Sequence, residues 1–335
     1  LMPDKLKIIF MKIVFLCFVI SVNGCSKVQN ENIIIKVSHN GSQKHPHQAG
    51  FEKLSSILEK ETNGRAKLEI FPASQIASEE EAIEMVKLGV IGSTPASSGA
   101  LRTFVPEVDL FNMPFIFDSL GQFYDIMDGP VGKEISDKIE KKLNCVVLGW
   151  WFSGIRNTWN SEKPIYQPKD LEGMKIRVIG SSIVLDTFNA FGAQATNMSF
   201  GELYSAIQQG VLDGAECDHI DLLVEKFYEV TKYVSYTEHL YLSVALIFSK
   251  KQLNKLPIDV QESLIRAGKE ATIAQRNAME EKTNEAFIKL IEKGLVFNKV
   301  DKKLFKEKAQ IVYAKNAAGV GGMEMINKIL SHGSN

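Results

Sequence analysis

Downstream of residue 32 the apolar and polar positions divide the chain into short alternating units. "IIIKVSHNGS" is an apolar run ending in polar residues, the pattern of a buried strand, and "HQAGFEKLSSILEKETNGR" repeats its apolar positions at helical spacing until Asn63-Gly64 stops it. "AKLEIFP" reads as the next strand. "SEEEAIEMVKLGV" reads as the next helix, with acidic residues crowding its positive first turn. "IGSTPASSGAL" has the small, polar composition of a strand end and loop. Such alternation predicts a parallel sheet flanked by helices.

Further along, "VPEVDLFNMPFIFDS" (residues 105–119) is aromatic and broken by prolines, so it is expected as a loop packed across a domain face or hinge. "CVVLGWWFSGIRNTW" is a continuous apolar run, suited to a strand covered on both faces. In "LEGMKIRVIGSS" Met174, Ile176 and Val178 share one face of a period-2 pattern while Lys175 and Arg177 share the other. "YVSYTEHLYLSVALIFSK" is long and apolar enough to pass through a core and cross between domains. Residues 258–293 contain no Pro and one Gly, which predicts a helix of about 50 Å lying as a strut across two domains. Too many of its apolar positions are Ala for a sustained heptad.

Length and composition refine this picture in three ways. A chain of 335 residues, 45% hydrophobic and 24% charged, has room for two packed domains. With 39 basic against 40 acidic residues it offers no broad basic surface for nucleic acid, so a charged ligand must be held by a few placed groups. The first 25 residues differ: Lys5, Lys7 and Lys12 precede the apolar run "IVFLCFVISV", then Gly24-Cys25, then a polar stretch. That is the anatomy of a secretory signal over residues 1–25 ending in a sequence that resembles a lipobox, with residues 26–32 as a linker. Cys25 is then the expected lipid anchor to the membrane. Met11-Lys12 would begin a normal signal by itself. Of the remaining cysteines, Cys145 sits in an apolar run as a small hydrophobe, and no spacing among Cys145, Cys217 and the histidines suggests a metal site or a disulfide.

Candidate chemistry starts from the absence of GxSxG, HExxH and a GxGxxG opening a helix. The pair His45 and His47 at a helix entry reads as a cap or loop feature more readily than as a metal site. Polar strand ends are better candidates, since open α/β sheets bind ligands beyond the carboxyl ends of their strands. Those ends are "SHNGS", "STPASSGA", "SGIRNTW", "RVIGSS" and "GAECDH", and two of them bring an arginine. Arg177 precedes Ser181-Ser182, which begin a helix whose N-terminus attracts anions, and its planar fork suits a carboxylate. Arg156 ends the preceding strand. On pattern alone, an anion anchor and a solvated strand face both remain open for Arg177.

"DLEGMKIRV", "FGELYSAIQQGVLDGAE" and "KFYEVTKYVSYTEH", in that order, resemble the solute-binding receptors of tripartite ATP-independent periplasmic (TRAP) transporters. "SHNGSQKHPHQAGFEKL", "FPASQIAS" and "FVPEVDLFNMPFIF" extend the resemblance from Ile33 to about Leu330. It implies an α/β, two-lobed, periplasmic-binding-protein-like fold with mixed sheets, cross-over strands and a long helix spanning both lobes. The expected first lobe is residues 33–153 plus about 242–280, and the second is 154–241 plus about 281–331.

The implied activity is capture of an organic acid outside the cytoplasm and its delivery to small and large membrane permease subunits, without catalysis, cofactor or metal. The resemblance makes Arg177 the carboxylate ligand, helped by Arg156, with Phe200 against the bound acid. Cys217, which the resemblance also places among the ligand-binding positions, stands where relatives usually carry Asn, and Asn197 where they usually carry Pro. The closest likeness is to members that take sugar acids such as uronates or aldonates, which assigns hydroxyl reading to His39, His45, Glu79, Glu216 and His239. Ser97 and Ser98 are implied to lie on a loop facing the cleft. Each residue also has a plainer reading: His45 as a cap, Glu79 as a helix-dipole partner, Glu216 as a hinge ion pair, His239 as a satisfied core group. Receptors for C4-dicarboxylates, keto acids or sialic acid are alternatives within the family. A sensor partner or a secreted sugar-acid enzyme is the alternative of another class.

Overall fold

The computed structural model describes residues 32–332. The expected signal, the lipobox with Cys25 and almost all of the linker lie outside the described residues. The strands are β1 (Ile33–Ser38), β2 (Ala66–Phe71), β3 (Ser93–Ser97), β4 (Cys145–Asn160), β5 (Lys175–Val178), β6 (Gln194–Asn197), β7 (Gly214–Cys217), β8 (Tyr233–Ser249) and β9 (Val296–Lys299). They join one sheet in the order β2-β1-β3-β8-β4-β7-β5-β6, with β9 on β8. The β1–β3, β5–β6, β5–β7 and β8–β9 pairs are parallel, whereas β3–β8, β4–β8 and β4–β7 are antiparallel. The sheet is therefore mixed where alternation alone predicted a parallel one. The reason lies in β4 and β8, which cross between lobes in opposite directions.

These two strands pair from Cys145↔Ser249 to Asn160↔Tyr233, with irregularities at Val147/Gly149, Phe152/Ile155 and Arg156/Thr158. Sixteen residues of strand reach about 50 Å, more than one small lobe needs. One end of the pair borders β3 and the other borders β7, so a single sheet runs through both lobes. Gly154 sits in the central irregularity at φ +81°, and a Cβ there would lie 2.2 Å from that of Asp218. Only glycine meets both demands.

Helix Ile258–Glu292 is the strut, 35 residues long. Met279 and Ala286 enter the core of the first lobe with Phe111, Phe123, Trp150 and Ile247, while Leu290 enters a second-lobe core with Trp159, Leu203 and Ala215. Midway, Gln275 clamps β4 by accepting from Phe152 N (3.0 Å) and donating to Phe152 O (2.6 Å). Another second-lobe core gathers Ile176, Val178, Phe188, Phe191, Leu242 and Phe305. Val312, Val320, Met325, Ile326 and Ile329 pack in the same core as Phe111, Phe123 and Trp150.

The proline-broken segment differs from a plain loop. Pro106–Asn112 forms a 3-10 helix that buries Val108, Leu110 and Phe111, and Phe115 N donates to His239 O (2.9 Å) across to β8. Its Asp109 carboxylate accepts from the hydroxyls of Ser181 and Ser182 at the start of helix Ser182–Phe191. A buried carboxylate of the first lobe thus sits at the positive end of a second-lobe helix. Ser42 N donates to Glu225 Oε1 (2.8 Å) at a further contact between the lobes. Cys145 and Cys217 are buried free thiols.

Candidate functional site

The carboxyl ends of β1, β3, β5 and β7 meet where the lobes face each other. Two adjoining cavities lie there, of about 310 and about 50 Å³, both lined by Asn40, Glu79, Ser97, Arg177, Ile179 and Phe200. The larger also touches Glu80, Asn197 and Ser199, and the smaller touches His45, His47, Ser153, Arg156 and Asp221.

Arg177 is held by its own strand. Ile176 and Val178 anchor β5 in the core, and the guanidinium donates from Nε (2.9 Å) and Nη2 (2.8 Å) to Met198 O. Its Nη1 is buried and has no partner among the described residues. A buried, charged donor left open normally has an absent acceptor to meet. The Phe200 ring lies 5.9 Å from the guanidinium carbon and backs it without competing for hydrogen bonds. Burial lowers the Arg177 pKa from its ordinary value, and Glu216 opposes that shift.

Arg156 is committed differently. Its guanidinium pairs with the Glu216 carboxylate, donates to the Glu216 carbonyl, and brings Nη1 to 3.8 Å from Asp221 Oδ2. Glu216 Oε1 accepts from Ile179 N (3.1 Å), and His239 Nε2 lies 3.7 Å from Oε2. Burial pushes the Glu216 carboxyl up, but Arg156 and His239 outweigh it and hold the pKa at about 2. His239, whose Nδ1 meets Thr237 Oγ1 (2.9 Å), is lowered by burial. Glu216 and His239 therefore stand behind Arg156, away from the lining of either cavity.

Glu79 opens helix Glu79–Leu88, yet Ser78 and Glu81 form the capping box. Glu79 is thereby released from the cap and turns inward, accepting from Ser97 N (2.6 Å) on Oε1 and from Asn40 Nδ2 (3.2 Å) on Oε2. Burial raises its pKa to about 7, with the Ser97 N–H and Arg177 pulling the other way. His45 is both a cap and a wall: Nδ1 accepts from His47 N (3.1 Å), while Nε2 is 3.5 Å from Asp221 Oδ1. Burial drives its pKa down to about 3, and that of His47 falls well below the ordinary value for the same reason.

The other sequence-derived residues divide in the same way. Ser97 lines both cavities and caps the short helix Ser98–Leu101 through Ala100 N (3.2 Å). Ser98 instead donates to Asn112 Oδ1 (2.7 Å), and His39 bonds Gln48 Oε1 through Nε2 (3.0 Å), so neither lines a cavity. Cys217 corrects an expectation. Its thiol accepts from Trp159 Nε1 (3.1 Å) inside the second-lobe core, on the opposite side of β7 from Glu216, and it does not line the cleft.

Asn40, Ser153, His47 and Asp221 were missed, though "SHNGS" and "GAECDH" pointed at two of their neighbourhoods. Asp218 and Asp221 open helix His219–Val224, where Asp218 Oδ1 caps Ile220 N (2.6 Å) and Asp221 N (3.1 Å). Chemically, the cleft presents one guanidinium, that of Arg177, without a carboxylate partner among the described residues, surrounded by amide, hydroxyl and carboxylate groups. That combination suits a carboxylate carrying hydroxyl groups.

The profile of bacterial extracellular solute-binding protein family 7 (DctP) matches residues 37–319. Among solved structures, the TRAP periplasmic solute-binding protein of Sulfitobacter sp. NAS-14.1 with bound β-D-galacturonate is 32% identical, with a TM-score of 0.85 over 89% of this chain and 99% of that one. That of Polaromonas sp. JS666, bound to D-erythronate, is 31% identical, with a TM-score of 0.86 over 89% and 98%. The C4-dicarboxylate-binding periplasmic protein DctP of Rhodobacter capsulatus is 31% identical over 76% of this chain and 77% of its own length.

Proposed function

The chain belongs to bacterial extracellular solute-binding protein family 7, the DctP family of TRAP receptors, and on that premise we propose that its interlobe cleft captures a hydroxylated organic acid whose carboxylate is held by Arg177. The observation that carries this reading is Arg177 itself, which lines a cavity of about 310 Å³ while its buried Nη1 has no partner among the described residues. Contacts from both lobes enclose the ligand, so only the closed form completes them and ligand shifts the population toward closure. Arg156, Asn40, Glu79, Ser97, His45 and Phe200 form the remaining wall, and Glu216 and His239 act by fixing Arg156.

The uronate and erythronate bound by relatives about one-third identical support a sugar acid. A C4-dicarboxylate is the second reading, favoured by the Rhodobacter capsulatus relative. The chain is a receptor without catalysis, handing its ligand to a membrane permease, with lobes joined near residues 153 and 242. The apolar leader and Gly24-Cys25 support export and anchoring through a lipid on Cys25, which radiolabelled palmitate incorporation lost in Cys25→Ala would test. Isothermal calorimetry of the mature chain against uronates, aldonates and C4-dicarboxylates tests the binding function. A folded chain that binds none of them refutes it.

A further inference from the structure

The charges around the cleft are unequal in a way that bears on which acids can enter, an inference that rests on the sugar-acid reading above. Arg177 is the lining arginine whose charge has no carboxylate partner among the described residues. Arg156 also reaches the smaller cavity, but Nε and Nη2 are engaged by Glu216 and Nη1 faces Asp221. His45 and His47 are kept neutral by burial, so neither supplies a second positive charge. Facing this single cation are the carboxylates of Glu79 and Glu80.

Glu79 is fixed by the Ser97 N–H on one oxygen and the Asn40 amide on the other. Each carboxylate oxygen can accept about two hydrogen bonds, so each keeps room for a donor from the cavity. A ligand hydroxyl supplies such a donor. A ligand carboxylate does not, and it would stand against like charge in a partly desolvated site with no cation to offset it.

We propose that Glu79 is a specificity-determining residue that makes the cleft accept hydroxylated monocarboxylates and reject the dicarboxylates obtained by oxidising their far end. The two acids of such a pair share carbon number and inner hydroxyls and differ in one terminal group. Shape alone separates them poorly, whereas charge separates them well. Glu80, exposed on the same wall, adds to the field but lacks the fixed orientation that Glu79 receives from Ser97 and Asn40.

The test is calorimetric titration of the mature chain at pH 8 with matched pairs: galactonate and galacturonate against galactarate, gluconate and glucuronate against glucarate, and erythronate against meso-tartrate. The expected result is that the preferred monoacid binds more tightly than its diacid partner by about 10-fold, the limit at pH 8 for a carboxyl whose pKa near 7 lets it take up a proton beside a second anion. In Glu79→Gln, which keeps an oxygen for Ser97 N, that ratio falls to roughly 3-fold or less because the diacid gains affinity. Equal binding of both members of a pair by the native chain overturns the proposal while leaving the receptor reading intact. So does an unchanged ratio in a folded Glu79→Gln chain. If that variant does not fold, the native ratio decides. Binding of no member of any pair by a folded native chain overturns the sugar-acid reading and this inference together, whereas binding of succinate alone overturns both but keeps an acid receptor.

Discussion

Replacing Arg177 by Lys keeps a positive charge on β5 and removes the fork. In the native site Nε and Nη2 are spent on Met198 O, which leaves Nη1 as the arm without a partner among the described residues. An ammonium has to divide itself between that buried carbonyl and the ligand. A charge-assisted hydrogen bond contributes about 1.5–3 kcal/mol, and loss of the second arm adds the cost of a less well oriented donor. Together these predict weaker binding by about 2–4 kcal/mol, or roughly 30- to 1,000-fold in Kd. The fold loses less, about 1–2 kcal/mol for an imperfectly satisfied Met198 carbonyl. Titration calorimetry with the tightest sugar acid reads the first quantity, and urea denaturation without ligand reads the second. An Arg177→Lys chain that binds within threefold of the native one refutes the anchor role. A collapse of stability equal to the loss of binding would make the residue structural instead.

Three further outcomes follow from the site. Glu79 faces Glu80 and Arg177 as charged neighbours and the Ser97 N–H and Asn40 as donors, and its pKa is raised from 4.5 to about 7 by burial. The stability it contributes is complete below pH 4.5 and is lost as pH rises through about 7; in scanning calorimetry, Glu79→Gln should gain in Tm relative to the native chain between those values, and a constant difference would contradict this. Glu216 has the opposite sign, since Arg156 and His239 hold it at about 2 against burial, so its contribution is present above pH 4.5 and fades as pH falls toward 2. Glu216→Gln, which leaves Arg156 buried without its counter-charge, should lower stability at pH 7 by about 3–5 kcal/mol in denaturant titration, and a loss under about 1 kcal/mol would show the pair to be dispensable. Cys217→Ala should lower stability by about 1–2 kcal/mol while leaving sugar-acid affinity within about twofold; a tenfold change in Kd would return Cys217 to the ligand site.

The long-range skeleton was legible wherever the pattern ran long. The strut helix and the cross-over strand β8 announced themselves by length, because neither fits inside one lobe, whereas the apolar run of β4 showed only a strand covered on both faces. Strand direction was not legible: periodicity carries no sign, and the antiparallel course of β4 and β8 depends on where the chain turns back. At the site, Arg177 could be found because a strand end, a helix start and a forked cation coincide in one stretch. Glu79, Glu80 and Glu81 are indistinguishable as letters. Only the capping box, which takes Glu81, reveals that Glu79 turns inward. Cys217 was misplaced for a related reason, since in so short a strand alternation leaves open which face belongs to the cleft. Asp221 was passed over because nothing in "DHIDLLVEK" shows that Arg156, 65 residues earlier, and the smaller cavity lie beside it.

The pairing of β4 with β8 also governs the order in which the molecule can assemble. Cys145 must find Ser249 and Asn160 must find Tyr233, partners separated by roughly 70 to 100 residues of chain. Closing such loops before any of their contacts form makes folding slow relative to a helical domain of the same size. β8 also borders β3 on one side of the molecule and β9 on the other. A chain emerging N-terminus first therefore exposes the apolar edge of β4 until β8 has followed it, and both lobes wait on the same late strand.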